Sequence, residues 1–152
     1  MSAHNESPVL FYSIDEPFGC FSNFSRHPIE LDGKTWPTSE HYFQAQKFAG
    51  TPHEEAIRQA ASAMEAACMG RERSRPLRAD WEAVKVDVMK RALLAKFTQH
   101  SDLRDLLLGT GNRELIERTP HDASWADGGD GSGMNMLGKL LMELRAQLLN
   151  NE

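Results

Sequence analysis

The sequence predicts an α+β fold: a mainly helical single domain with a small antiparallel sheet. Three observations predict it. Asp32-Gly33 stands between two short alternating runs, Ile29–Leu31 and Lys34–Trp36, and Asp-Gly in that setting is a strong hairpin signal. Helix start signals then recur at Thr38, Thr51, Ser62, Asp80, Ser101 or Asp102, and Asn135. Behind two of them, apolar residues recur at helical spacing: Trp81, Val84, Val88, Ala92 and Ala95, then Leu137, Leu140, Leu141, Leu144 and Leu148.

In chain order, residues 9–13 (V-L-F-Y-S) form a short apolar run that reads as a strand. Pro17, Gly19 and Ser22 mark a loop carrying Phe18, Phe21 and Phe24; such aromatics more often plug a core than meet a ligand. Asn23 sits between two of them. Its amide either faces a substrate or bonds its own backbone in a turn. The hairpin follows and delivers the chain to a helix from Ser39, capped by Thr38 and closed by Gly50 in a left-handed cap. Thr51 with Glu54, and Ser62 with Glu65, read as capping boxes. They start two short Ala-rich helices that end near Ala61 and at Gly70, a helix-ending glycine. Asp80 is the expected cap of a helix over Trp81–Gln99. Another helix runs through Leu108 to Gly109 and Gly111, and residues 114–118 alternate as a strand. Asn135 is the expected cap of the last helix, whose leucine face closes the core.

Composition bounds the function. The chain has 152 residues, 40% hydrophobic and 26% charged, as in a globular domain with a real core. The net charge of −5 advertises neither long nucleic acid nor a membrane surface. Two cysteines, Cys20 and Cys68, are too few for a disulfide framework and build no zinc spacing. No apolar run approaches the ~20 residues that span a bilayer. Residues 1–8 are polar and are expected to form a flexible tail, not a signal peptide, ahead of one domain over 9–152. The expected location is the cytoplasm.

The chemistry centres on residues 33–48, G-K-T-W-P-T-S-E-H-Y-F-Q-A-Q-K-F. Pro37 keeps Trp36 extended and Thr38 opens the helix. On that helix Glu40, Gln44 and Lys47 fall at i, i+4 and i+7, in one row, while Tyr42, Phe43, Ala45 and Phe48 spread over the other faces. A helix aromatic around most of its girth is expected to be buried, and buried charge needs a reason. The row is either ordinary helix-end charge wetted by solvent, or a catalytic carboxylate and lysine.

Two loops add to it. Residues 71–78, R-E-R-S-R-P-L-R, hold four arginines in an otherwise acidic chain. They are either a solvated basic loop or a grip for a small phosphorylated ligand. Residues 122–133 carry Trp125 and Asp127 and end in a Gly/Ser-rich run, in which Gly128 allows close backbone approach to a ligand. This is not an EF-hand, since Asp127 stands where its glycine must be and Gly133 where its glutamate must be. Nor are residues 133–140 a P-loop, since Leu140 replaces the metal-holding hydroxyl. Trp81 is either a core anchor or a stacking surface for a base.

The sequence resembles the NADAR family, the YbiA-like N-glycosidases. The resemblance runs in order through F-G-C-F-S-N-F (18–24), W-P-T-S-E-H-Y-F-Q-A-Q-K-F (36–48), M-G-R-E-R-S-R-P-L-R (69–78) and W-E-A-V-K (81–85). It continues through A-K-F-T-Q-H (95–100), D-A-S-W-A-D-G-G-D-G (122–131) and N-M-L-G-K-L-L-M-E-L-R (135–145), and so covers nearly the whole chain. It implies a YbiA-like fold and hydrolysis of an N-glycosidic bond between a phosphorylated ribose and a nitrogen base. The implied substrates are early riboflavin-pathway ribosylaminopyrimidine phosphates. ADP-ribosylguanine in nucleic acid, and a non-catalytic ADP-ribose or nucleotide-binding module, are the alternatives. No cofactor and no metal are expected, and no membrane partner.

Cleavage of such a bond builds positive charge at the sugar C1, which a carboxylate stabilises. Glu40, Lys47 and Asp127 are the expected catalytic residues: Glu40 at the sugar, Lys47 as a Schiff-base nucleophile or an ion-pair partner, and Asp127 to protonate or orient the leaving nitrogen. Asn23, Trp36, Gln44, Arg71, Trp81, Trp125 and Gly128 are the expected substrate-binding positions, with Arg71 on phosphate and the tryptophans stacking. Glu40, Trp81, Trp125 and Asp127 match the family's functional positions, whereas the roles of Lys47 and Arg71 are inferred.

Overall fold

The computed structural model describes residues 7–151. Positions 1–6 of the expected tail lie outside the described residues, while Ser7 is exposed and its carbonyl accepts from Arg113 Nε at 2.8 Å. The elements are β1 (Val9–Phe11), a 3-10 turn (Gly19–Phe21), β2 (Ile29–Leu31), β3 (Lys34–Trp36), α1 (Ser39–Gln46), α2 (Pro52–Arg58) and α3 (Ala63–Gly70). They continue with α4 (Trp81–Gln99), α5 (Ser101–Gly109), β4 (Leu115–Glu117) and α6 (Met136–Asn150). This is the mainly helical α+β fold with its small antiparallel hairpin. The chain forms two compact units: Asn23–His100, and the described residues up to Ser22 together with those from Ser101 on.

In the Asn23–His100 unit, β2 and β3 pair antiparallel with Ile29 opposite Trp36. Asp32 and Gly33 have φ of 56° and 76°. Positive φ at both central residues is what a two-residue hairpin of primed type demands. Asp32 is also a lock: Tyr42 Oη donates to its Oδ2 at 3.0 Å, and Arg91 Nη2 to its Oδ1 at 2.6 Å. Every residue of α1 is buried, and α1 packs on α2, α3 and α4. Its entry is satisfied internally. Thr38 Oγ1 accepts the His41 N–H at 3.1 Å and lies 2.8 Å from His41 Nδ1, while His41 Nε2 lies 3.1 Å from the Ala60 carbonyl. Burial lowers the His41 pKa, so its imidazole is kept neutral.

Several cap assignments change. Ser62 Oγ does accept from Glu65 N, and Thr51 Oγ1 from His53 N. The glutamates, however, reach one residue further back than a capping box requires: Glu65 accepts from Ala61 N and Glu54 from Gly50 N. The second helix ends at Arg58, short of Ala61. Asp80 makes no side-chain cap, because its carboxylate is held by Arg78. Gly50 has φ of 82°, as a left-handed closure requires. Gly70 does not; it is the last residue of α3 and is followed by Arg71 in right-handed geometry.

In the other unit, β1 and β4 pair in parallel, Val9 opposite Leu115 and Phe11 opposite Glu117. The sheet content is therefore the expected hairpin plus a parallel pair that the sequence did not announce. Asn135 does not cap α6 with its side chain. Its Oδ1 accepts from Glu117 N at 3.0 Å and its Nδ2 donates to Leu115 O at 2.9 Å, so one amide stands in for a further strand along β4. The leucines at 137, 140, 141, 144 and 148 are all buried, and α6 packs on β4.

Candidate active site

The row on α1 survives folding and is not wetted. Glu40 is 7% exposed and Gln44 5%. Gln44 Nε2 donates to Glu40 Oε2 at 2.7 Å. Asn23 supports the start of the same helix: its carbonyl accepts the Glu40 N–H at 3.2 Å, its Oδ1 accepts from Ser39 Oγ at 2.7 Å, and its Nδ2 donates to Met89 Sδ at 3.4 Å. Its amide is thus spent on α1 and α4, neither on its own turn nor on an open face.

Lys47 is the C-cap of α1 in right-handed geometry, which keeps it in the row. Its Nζ donates to the Gly70 carbonyl at 3.2 Å and lies 6.0 Å from the centre of the Trp81 ring. Burial lowers the Lys47 pKa; the Glu40 charge opposes this, while Arg71 and Lys85 add to it. A lysine so placed holds more neutral amine than an exposed one.

A cleft of about 460 Å³ opens on this end of α1, lined by Lys47, Gly70, Trp81 and most of the arginine loop. The four arginines divide. Arg75 binds Glu72 at 2.6 Å and His53 at 2.8 Å. Arg78 makes a two-pronged pair with Asp80, donates its N–H to the Lys47 carbonyl at 3.0 Å, and so ties down the end of α1. Arg71 and Arg73 line the cleft and are exposed, and their guanidinium groups have no hydrogen-bond or ion-pair partner among the described residues. Guanidinium groups presented this way suit a phosphate. Trp81 is a core anchor that also lines the cleft: it is buried and packs against Phe43, ring centres 5.1 Å apart.

Trp36 is corrected to a core residue. It is fully buried, donates Nε1 to the Leu31 carbonyl at 3.0 Å and meets Tyr42 edge-on at 5.1 Å, so it offers no face to a ligand. Asp127 is tied into its own loop. Within its own unit its carboxylate accepts from Gly129 N at 2.8 Å, from Thr119 N at 3.2 Å and from Arg118 Nε. Burial alone raises its pKa, but those three donors outweigh it and hold the group below the usual carboxylate range. A carboxylate kept ionised and saturated organises its loop and is a poor proton donor. Trp125 is half-exposed in that loop, with its N–H on Asp122 Oδ1 at 2.8 Å, and Gly128 has φ of 77°. The structure thus brings together Asn23, Glu40, Gln44, Lys47, Arg71 and Trp81 in one unit, while Trp125, Asp127 and Gly128 share the other. Arg73 and Gly70 are site residues that sequence reasoning passed over. Arg73 was legible only as one arginine among four, and Gly70 was taken for a helix end.

The family model for the NADAR domain matches residues 10–149. The chain belongs to the NADAR family. As a NADAR protein it is 60% identical over 140 residues to the N-glycosidase YbiA of Escherichia coli strain K12, covering 92% of this chain and 88% of that one. The solved NMR structure of the E. coli protein YbiA is matched at a TM-score of 0.89 and 57% identity, over 96% of this NADAR chain and 87% of that one. The N-glycosidase Npun_R5314 of Nostoc punctiforme is 45% identical, over 93% of both chains. The chloroplastic riboflavin biosynthesis protein PYRR of Zea mays is 42% identical over 98% of this chain, which spans 26% of that longer protein. Among the described residues no helix of this NADAR chain is long and apolar enough to cross a membrane, and no group of three or more His, Cys, Asp or Glu is placed to hold a metal ion.

Proposed function

We propose that this chain hydrolyses the C1–N bond of phosphorylated ribosyl compounds, with early riboflavin-pathway ribosylaminopyrimidine phosphates as its substrates. It is a hydrolase acting on N-glycosyl bonds. That coarser reading is supported by relatives named N-glycosidases at 60% and 45% identity, and the substrate class by a relative named for riboflavin biosynthesis. The observation that carries the reading is a buried, amide-held carboxylate, Glu40, on the same helix row as Lys47, whose amine it acts on electrostatically and which lines a cleft with Arg71 and Arg73. Negative charge held inside and positive charge at the mouth fit a substrate that develops a cation at C1 and carries a phosphate.

The phosphate test uses Arg71→Ala and Arg73→Ala. Each raises KM for the phosphorylated ribosylamine about 10-fold, close to the value of one charge-assisted hydrogen bond, with kcat within about threefold. The phosphate-free ribosylamine is unaffected by either change. Equal losses on both substrates would contradict a phosphate role.

Lys47 acts as the nucleophile in this reading. Its neutral amine adds to C1 of the ring-opened ribosyl iminium, the base leaves as the free amine with a proton, and water releases the sugar aldehyde from the Lys47 Schiff base. Borohydride reduces that C=N bond, so turnover in its presence leaves a sugar phosphate covalently on Lys47, read by peptide mass spectrometry. An adduct that persists in Lys47→Ala assigns Lys47 to ion pairing with Glu40 or phosphate instead.

A further inference from the structure

Gln44 was read from the sequence as a substrate contact, but its carboxamide is turned inward. Its Nε2 is committed to Glu40 Oε2, and its Oε1 is a buried acceptor with no hydrogen-bond partner. Exchanging the amide ends would set an acceptor against the Glu40 carboxylate, so the observed orientation is the one that suits an ionised Glu40. The Oε1 end lies against Gly70. A Cβ added at Gly70 would stand 2.0 Å from Gln44 Oε1 and 2.8 Å from its Cδ, a clash no rotamer of a methyl relieves.

Gly70 has no need of glycine for its backbone, since its φ is not positive. A glycine inside a helix is weaker than alanine there, so the missing Cβ is what the site requires at this position. The same residue's carbonyl holds Lys47 Nζ at 3.2 Å. One glycine at the end of α3 therefore meets two members of the row on α1, Gln44 by leaving room for its amide and Lys47 through its carbonyl.

We propose that Gln44 and Gly70 are positioning residues: Gln44 aims the Glu40 carboxylate, and Gly70, by lacking a side chain, seats Gln44. This rests on the reading of Glu40 as the working carboxylate. Gln44 is buried and is not part of the cleft lining, so its loss appears in kcat and not in KM. The orphan acceptor adds a second signature. An apolar side chain of similar length removes a buried unsatisfied oxygen, so stability is kept while turnover falls.

The experiment measures kcat, KM and melting temperature with ribosylaminopyrimidine phosphate. In Gln44→Met, kcat falls about 10- to 100-fold, KM stays within about twofold and the melting temperature does not drop. Gly70→Ala lowers kcat comparably in the native background. In Gln44→Ala, which removes the Oε1 and Cδ that the added methyl would strike and leaves only a tight contact with Cβ at 3.0 Å, Gly70→Ala costs less than about twofold more. The positioning roles are overturned by a Gln44→Met enzyme with native kcat, by a loss carried in KM, or by a Gly70→Ala loss of equal size in both backgrounds. Glu40→Gln runs alongside. If it stays active, the reading of Glu40 fails; if it is inactive while Gln44→Met is native, only the positioning inference fails.

Discussion

Glu40→Gln loses about three orders of magnitude in kcat while the fold is kept. The substitution is close to isosteric, and a glutamine at 40 still offers an oxygen to Gln44 Nε2, which now lies 2.7 Å from Glu40 Oε2. What disappears is the charge. Removing one preorganised group that stabilises transition-state charge typically costs about 10²–10³ in kcat, and loss of general-base action contributes in the same range. Because the carboxylate is 7% exposed, bulk water does not replace it. KM changes little, since the interaction grows only as the C1 cation develops. A protein that merely binds a nucleotide would tolerate this change. Steady-state kinetics beside a thermal melt separate the two: an inactive but unmelted variant supports catalysis, and a fully active one removes Glu40 from the reaction.

Gly138→Ala has the largest expected effect on stability, although alanine is the better helix former by about 1 kcal/mol. A Cβ at Gly138 would lie 2.0 Å from the Leu115 carbonyl oxygen and 2.4 Å from Asn135 Nδ2. Those atoms are β4 backbone and the amide that pairs with it, so neither yields without breaking the bond between them. Forced shifts of this kind cost about 1–3 kcal/mol, and more when a buried hydrogen bond is lost as well. The steric cost exceeds the propensity gain. The net loss is about 2–4 kcal/mol, or roughly 5–15 °C in melting temperature for a chain of this size. Gly109→Ala is the control within the same unit. Nothing lies within 4 Å of the Cβ it would add, and Gly109 closes α5 without a positive φ, so it is neutral or slightly stabilising. Equal melting temperatures for the two variants would contradict the close packing of α6 on β4.

The sequence made legible what depends on near neighbours. Asp32-Gly33 announced its turn because few residue pairs accept positive φ at both positions. The burial of α1 followed from aromatics on several of its faces, and the row of Glu40, Gln44 and Lys47 from helical period alone. The parallel β1–β4 pair was hidden because it joins three-residue strands more than 100 positions apart, and no local signal sets such a pairing. Asn135 looked like a cap because asparagine so often is one; that its amide serves β4 depends on where α6 packs. The arginine loop was visible as charge, but only folding shows that Arg75 and Arg78 are consumed by Glu72 and Asp80 while Arg71 and Arg73 face the cleft. The bonds of Trp36 and Asp127 to their own surroundings were hidden for a shared reason. A tryptophan and an aspartate in a motif look alike whether they meet a ligand or satisfy their neighbours, and both here satisfy neighbours.

Product release read by mass spectrometry tests the central claim most directly, with wild type and Glu40→Gln incubated side by side. The substrates are ribosylaminopyrimidine phosphate and an oligonucleotide bearing ADP-ribosylguanine. The expected result is free pyrimidine and ribose phosphate from the first substrate with wild type, and neither product with Glu40→Gln. Release from the oligonucleotide alone would move the activity to modified nucleic acid. No release from either, with tight binding kept in Glu40→Gln, would contradict an N-glycosidase and leave a binding module.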